Sequence, residues 1–229
     1  FIMTEDSAFA TLLYDTRPDR RGFSDKLCAM LGVDRQHLPK VVNCTDQVGR
    51  ITPQAAAELG LEAGIPVFGG GGDASVGAGA DQEGSTHIYL GTSGWVSTVV
   101  RRQVLDTKNM IAAIIGAHPP AERKVKASSK VRLVGGGALA PLTCQILADV
   151  LGREIETVPH PQNSGAVEAA IVAAVGLGLL PDLTAAVQMV PVKDRYLPKP
   201  EHTAIYDRLF PVFKSLYYNN RKAFSLLNG

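Results

Sequence analysis

The sequence predicts an α/β fold, and three observations predict it. Short apolar runs alternate with segments of helical period, the trace expected of strands and helices in turn. Three of those runs end in glycine turns: Gly69-Gly70-Gly71-Gly72-Asp73, Gly91-Thr92-Ser93-Gly94 and Gly135-Gly136-Gly137-Ala138. Helix start and stop residues bracket most of the segments between them.

In chain order, residues 8–16 (AFATLLYDT) read as a strand that turns at Arg17-Pro18-Asp19. Ser24 is a helix N-cap, Leu27, Met30 and Leu31 follow at helical spacing, and Gly32 closes the helix. Residues 36–39 form a loop and 48–51 a strand. Thr52-Pro53 then opens a helix over 54–59 with proline at its first position, and Gly60 marks its exit. Residues 65–68 form the strand entering the first glycine turn, and a helix is expected over 74–80. Residues 87–90 lead to the second turn, with 95–100 as the hairpin partner. A further strand pair is expected within 105–118. Residues 131–134 lead to the third turn. The helix after it runs from 140 or 141 to 151, with Leu142, Ile146, Leu147 and Val150 on its inner face and Gly152 as its cap. A strand over 155–158, an alanine-rich helix over 165–177 and an irregular segment over 193–200 follow. Residues 206–227 read as an amphipathic helix with Leu209, Phe213, Leu216 and Tyr217 inward.

The chain has 229 residues, enough for one large domain or two small ones. Lys and Arg total 23 against 22 Asp and Glu, which gives no electrostatic case for nucleic acid or for an anionic membrane surface. The longest apolar run, residues 169–180, is too short to span a bilayer, and nothing at the N-terminus reads as a signal peptide. Cys28, Cys44 and Cys144 are widely spaced, which argues against a disulfide framework or a zinc site and fits a reducing compartment, hence the cytoplasm. His37, His87, His118, His160 and His202 form no metal-spaced pair and are read as surface or loop residues, so no metal ligand is assigned. The aromatic residues of the last helix fit a core or a homodimer face better than a ligand site.

Each glycine turn follows one logic. A strand delivers the chain to a sheet edge, glycines permit a sharp turn, and exposed N–H groups face a ligand. No Gly-Lys-Ser/Thr occurs, so a Walker A loop is excluded, and the glycine spacing fails the dinucleotide fingerprint. At the first turn Asp73 is either a helix N-cap or a carboxylate that orients a hydroxyl and accepts its proton during phosphoryl transfer. At the second, Gly91, Thr92 and Ser93 form either a polar hairpin or a loop whose amides and Thr92 hydroxyl face a nucleotide's terminal phosphate. At the third, Gly135, Gly136, Gly137 and Ala138 either allow close helix–strand packing or leave a flat surface for adenine.

These turns, in this order, resemble the FGGY carbohydrate kinases, with the xylulokinase branch nearest in pattern. GIPVFGGGGDASVGAGA resembles the family's strand–GGGD–helix motif, IYLGTSGWV its second phosphate motif, and VRLVGGGALAPLTCQILADVLGREIE its adenosine motif. MLGVDRQHLPKVV, VGRITPQAAAELGLEAGIPV and SGAVEAAIVAAVGLG also fit. The resemblance implies the actin, Hsp70 and sugar-kinase fold (ribonuclease H-like), with ATP and Mg²⁺ as cofactors and a small sugar as substrate. The sugar it points to is D-xylulose, with ribulose, gluconate and glycerol as alternatives, as is a non-catalytic nucleotide-binding protein of the same fold. By position, Asp73 falls on the family's catalytic aspartate, and Ala74 falls beside the sugar, where some members carry a polar residue. Gly91, Thr92 and Ser93 fall at the ATP phosphates, and Gly135 to Ala138 on the nucleotide motif. Family members are roughly twice this length. Residues 1–16 are therefore expected to end an N-terminal domain and 17–229 to form the C-terminal one, with a stretch of the relatives unmatched near 113–126. The chain opens at Phe1, as a fragment would, and turnover by these residues alone is expected to be low.

Overall fold

The computed structural model describes residues 1–17, 19–72, 84–100, 105–106, 111–112, 128–185 and 189–228. Asp73, Ala74, the helix expected over 74–80 and the whole stretch near 113–126 lie outside them. The chain divides into two compact units. One comprises Phe1–His87, Ser97–Ala127 and Asn163–Pro191, the other Ile88–Val96, Ser128–Gln162 and Val192–Gly229. Residue 16, after which the sequence places a domain boundary, lies inside the first unit.

The first unit opens with β1 (Ile2–Thr4) and α1 (Glu5–Ala10), followed by the antiparallel pair β2 (Tyr14–Asp15) and β3 (Gly22–Phe23). The strand expected over 8–16 is therefore mostly helix. Glu5 and Asp6 fill the first turn of α1, where carboxylates are favoured. Leu12, at φ 62°, ends it, so only Tyr14 and Asp15 remain extended for pairing. α2 (Asp25–Leu31) starts at Ser24, whose hydroxyl accepts from Leu27 N–H at 3.4 Å, and stops at left-handed Gly32. Ala8, Leu13, Tyr14, Phe23 and Cys28 form one buried cluster that joins α1, α2 and the β2–β3 pair. β4 (Lys40–Val42) pairs parallel with β1. β5 (Gln47–Arg50), α3 (Pro53–Leu59) and β6 (Pro66–Phe68) follow. Thr52 caps α3 by accepting from Ala55 N–H at 3.2 Å, and Pro53 sits at its first position, as the sequence requires.

β7 (Thr86–Leu90) and β8 (Gly94–Thr98) form the hairpin that carries the chain between units. The expected later pair is present as antiparallel β9 (Leu105–Asp106) and β10 (Ile111–Ala112). The second unit is built on β11 (Lys130–Val134), α4 (Pro141–Leu151) and β12 (Glu154–Thr157), with β11 and β12 parallel. α5 (Ser164–Gly176) returns to the first unit, where Gly176 lets Phe68 approach: an added Cβ would lie 2.4 Å from its ring. β13 (Arg195–Tyr196) interrupts the segment expected to be irregular and pairs antiparallel with β12. The sheet order is β13-β12-β11-β7-β8. Its core gathers Ile88, Val131, Leu133, Ala138, Cys144, Ala148 and Ile155. His87 is buried in β7 and so is a core residue, unlike the surface role expected of it.

Two helix faces differ from expectation. α4 buries Cys144, Ala148 and Asp149, while Leu142, Ile146 and Val150 are exposed. The small residues at i and i+4 let the helix lie close on the sheet. Asp149 accepts from Gln145 Nε2 of the same helix at 2.9 Å and from Lys199 N–H at 2.8 Å, just before α6 (Pro200–Asn228), and lies 2.8 Å from His202 Nδ1 of α6. α6 exposes Leu209, Phe213 and Leu216, expected inward. Among the described residues nothing covers that stripe. Tyr217's side chain lies outside them.

Candidate nucleotide site

The second and third glycine turns meet within the second unit. β7 ends at Leu90, and Gly91 N–H donates to Ser93 O at 2.9 Å, which closes the turn into β8. Gly91, Thr92 and Ser93 are all exposed, so the Thr92 hydroxyl faces solvent. At the end of β11, Gly135 takes φ +88° and donates its N–H to Pro161 O at 2.8 Å. A 3-10 turn over Gly136–Leu139 then opens α4. The first N–H groups of such a turn have no acceptor inside it.

The three glycines of this corner do different things. A Cβ on Gly135 would lie 2.6 Å from Leu90 O, and one on Gly137 would lie 2.5 Å from Leu90 Cδ2. Both are needed for close approach of the turn to β7. A Cβ on Gly136 would meet nothing within 4 Å, because that face is open. Ala138 points the other way, into the core cluster. The open space is a cavity of about 480 Å³ lined by Tyr89, Leu90, Gly91, Thr92, Gly136, Gly137 and Gln162. Ser93, Gly135 and Ala138 belong to the same turns without lining it.

The cavity lies past the carboxyl ends of β11 and β12, where ligands bind in open α/β sheets. No lining residue is charged, so an anion there meets backbone dipoles, the Thr92 hydroxyl, the Tyr89 phenol and the Gln162 amide. Tyr89 and Gln162 escaped the sequence reading. Tyr89 sits on the strand two residues before Gly91, and its ring stacks on Trp95 at 4.1 Å between centroids, 9° from parallel. Gln162 belongs to the 3-10 turn whose Pro161 carbonyl holds Gly135. The signal for it was available: it follows the next parallel strand, at the same sheet edge.

The first glycine turn belongs to the other unit. Gly69 N–H donates to Asp46 O at 3.0 Å, Gly70 N–H to Cys44 O at 2.9 Å, and Gly72 N–H to Asp6 Oδ2 at 2.6 Å. Burial pushes the thiols of Cys44 and Cys144 up, away from the reactive thiolate. Among the described residues no group of three His, Cys, Asp or Glu is placed to hold a metal ion, and no helix is long and apolar enough to cross a membrane.

Comparison with known proteins gives the family. The N-terminal domain pattern of the FGGY family of carbohydrate kinases matches residues 3–79, and its C-terminal domain pattern matches 88–177. This chain belongs to the FGGY family. The FGGY N-terminal match extends well past residue 16, to residue 79, and so takes in the first glycine turn. Among curated relatives, L-fuculokinase of Escherichia coli K12 is 36% identical over 91 residues, covering 38% of this chain and 19% of that protein. Xylulose kinase of Bacillus subtilis is 31% identical over 109 residues, covering 46% of this chain and 21% of that protein. The chain thus spans about a fifth of the length of these FGGY relatives. Among solved structures, a ligand-bound xylulose kinase from Lactobacillus acidophilus matches with TM-score 0.83 at 16% identity, over 99% of this chain and 66% of that one. Plasmodium falciparum glycerol kinase, solved with ADP, matches with TM-score 0.68 at 12% identity, over 93% and 63%. The fold is the mixed α/β fold of FGGY kinases.

Proposed function

We propose that this chain carries the nucleotide pocket and the proton acceptor of an ATP-dependent carbohydrate kinase that works in the cytoplasm. The observation that carries the reading is the convergence of Gly91, Thr92, Gly136 and Gly137 on one cavity past the ends of parallel strands. The corner of Gly136 and Gln162 takes the base, since its open backbone leaves room for a flat ring. The turn at Gly91 and Thr92 takes the phosphates through amides and a hydroxyl.

In the transfer, the Asp73 carboxylate accepts the proton of the sugar hydroxyl. That oxygen forms its bond to the γ-phosphorus, and the bond from γ-phosphorus to the bridging oxygen breaks to release ADP. The uncharged lining supplies no counter-charge of its own. Mg²⁺ bound with the phosphates would supply charge neutralisation there, since hard cations of this kind are held largely by phosphate oxygens and water. By the family resemblance Asp73 and Ala74 are assigned to the sugar, for which D-xylulose is the reading and ribulose-, fuculose-, gluconate- and glycerol-type substrates are the competitors.

The test is ATP binding by calorimetry, followed by ADP release against a panel of ketoses and polyols. Asp73→Ala is expected to cut turnover about a hundredfold or more and leave ATP affinity nearly intact. ATP binding with no sugar phosphorylated would leave a nucleotide-binding protein in place of a kinase.

A further inference from the structure

Four consecutive glycines are poorly determined backbone, because each enters both halves of φ space. A proton acceptor placed directly after them inherits that freedom unless the run is tied down. The structure ties it at three points. Two are ordinary: Gly69 and Gly70 donate to the backbone carbonyls of Asp46 and Cys44. The third differs in kind. Gly72 N–H, one residue before Asp73, donates at 2.6 Å to a side-chain carboxylate supplied by Asp6. Hydrogen bonds to an ionised acceptor are shorter and roughly twice as strong as neutral ones.

Asp6 is itself well held. It lies in the first turn of α1, where the helix N-terminus favours a carboxylate. α1 is anchored by Ala8, fully buried in the core cluster, and by Glu5, which accepts from Tyr14 Oη at 2.7 Å and pairs with Arg21 at 3.0 Å. An unbroken series of contacts therefore runs from the first unit's core to the amide that precedes Asp73.

We propose that Asp6 is a positioning residue for Asp73, acting through the Gly72 amide that its carboxylate holds, the last described residue before the proton acceptor. This rests on the reading that Asp73 takes the sugar proton. Reacting groups tolerate little displacement, and an error of about 1 Å costs on the order of a hundredfold in rate. Asp6→Ala is accordingly expected to lower kcat by about tenfold to a hundredfold while leaving KM for ATP unchanged, since Asp6 does not line the nucleotide cavity. Asp6→Asn keeps an oxygen acceptor and is expected to recover most of the turnover. A merely structural role would lower the unfolding midpoint without separating kcat from KM.

The contact has its own signature. In the unaltered chain the Gly72 amide should exchange slowly with solvent, and in Asp6→Ala it should exchange faster. Equal Gly72 exchange in the unaltered chain and in Asp6→Ala, or turnover in Asp6→Ala within about twofold of the unaltered chain, overturns the proposal while the kinase reading stands. Turnover that survives Asp73→Ala removes the kinase reading and the role of Asp6 together.

Discussion

Alanine at Gly135, Gly136 and Gly137 should give three different results from three adjacent glycines. At Gly135 the new Cβ would stand 2.6 Å from the carbonyl oxygen and 2.9 Å from the carbonyl carbon of Leu90, and the backbone is at φ +88°. Neither atom can yield without moving β7, and a left-handed φ penalises any L side chain. The expected cost is about 2–5 kcal/mol. At Gly137 the clash is with the Leu90 side chain, at 2.5 Å from Cδ2 and 2.9 Å from Cβ. Leu90 must leave its rotamer, at about 1–3 kcal/mol. At Gly136 nothing lies within 4 Å, so stability should change by no more than about 0.5 kcal/mol. Leucine at Gly136 should instead project into the cavity of about 480 Å³ and weaken ATP binding by about tenfold or more, with the fold intact. Urea titration with a shared m-value and calorimetry with ATP separate the two effects. Equal destabilisation at all three positions, or full ATP affinity in Gly136→Leu, would refute the assignment of Gly136 to the ligand and of its neighbours to packing.

Two further outcomes concern stability. Burial pushes the Asp149 carboxyl up, but hydrogen bonds from Lys199 N–H, His202 and Gln145 outweigh it and hold the group below the ordinary carboxylate value. Its stabilising effect is therefore present above that value and lost as pH falls through the lower folded one. The thermal midpoint should drop in acid below about pH 4 for the unaltered chain and less steeply for Asp149→Asn. Amide exchange at the start of α6 should be faster in that variant, and identical exchange would contradict the account. Thr52→Ala removes the acceptor for Ala55 N–H and should cost about 1 kcal/mol in urea titration; no change would mean that the cap is redundant.

Local backbone chemistry was the legible part of the sequence. Ser24, Thr52-Pro53, Gly32, Gly60 and Gly152 act through neighbours a few residues away, and each stands where its chemistry places it. Periodicity was less informative wherever the partner surface decides. α4 has apolar residues on two faces, and the sheet accepts the one with Cys144 and Ala148 because small residues permit the closer approach. The apolar stripe of α6 reads as inward by period alone, yet Phe213 is 68% exposed. Residues 8–13 are apolar enough for a strand, and only the left-handed Leu12 with the acidic first turn marks the helix. Of the site, the glycine turns were visible because glycine is required there. Tyr89, Gln162 and Asp6 were not, since their roles come from residues far away in sequence.

The central claim is that the second unit's cavity receives a nucleotide, and an amide-resolved titration of the chain with Mg²⁺ and ATP tests it most directly. Saturable shifts concentrated at Gly91, Thr92, Gly136, Gly137 and Gln162 are the predicted result. Resonances there that stay fixed while others move, or a spectrum unchanged at millimolar nucleotide, would contradict it.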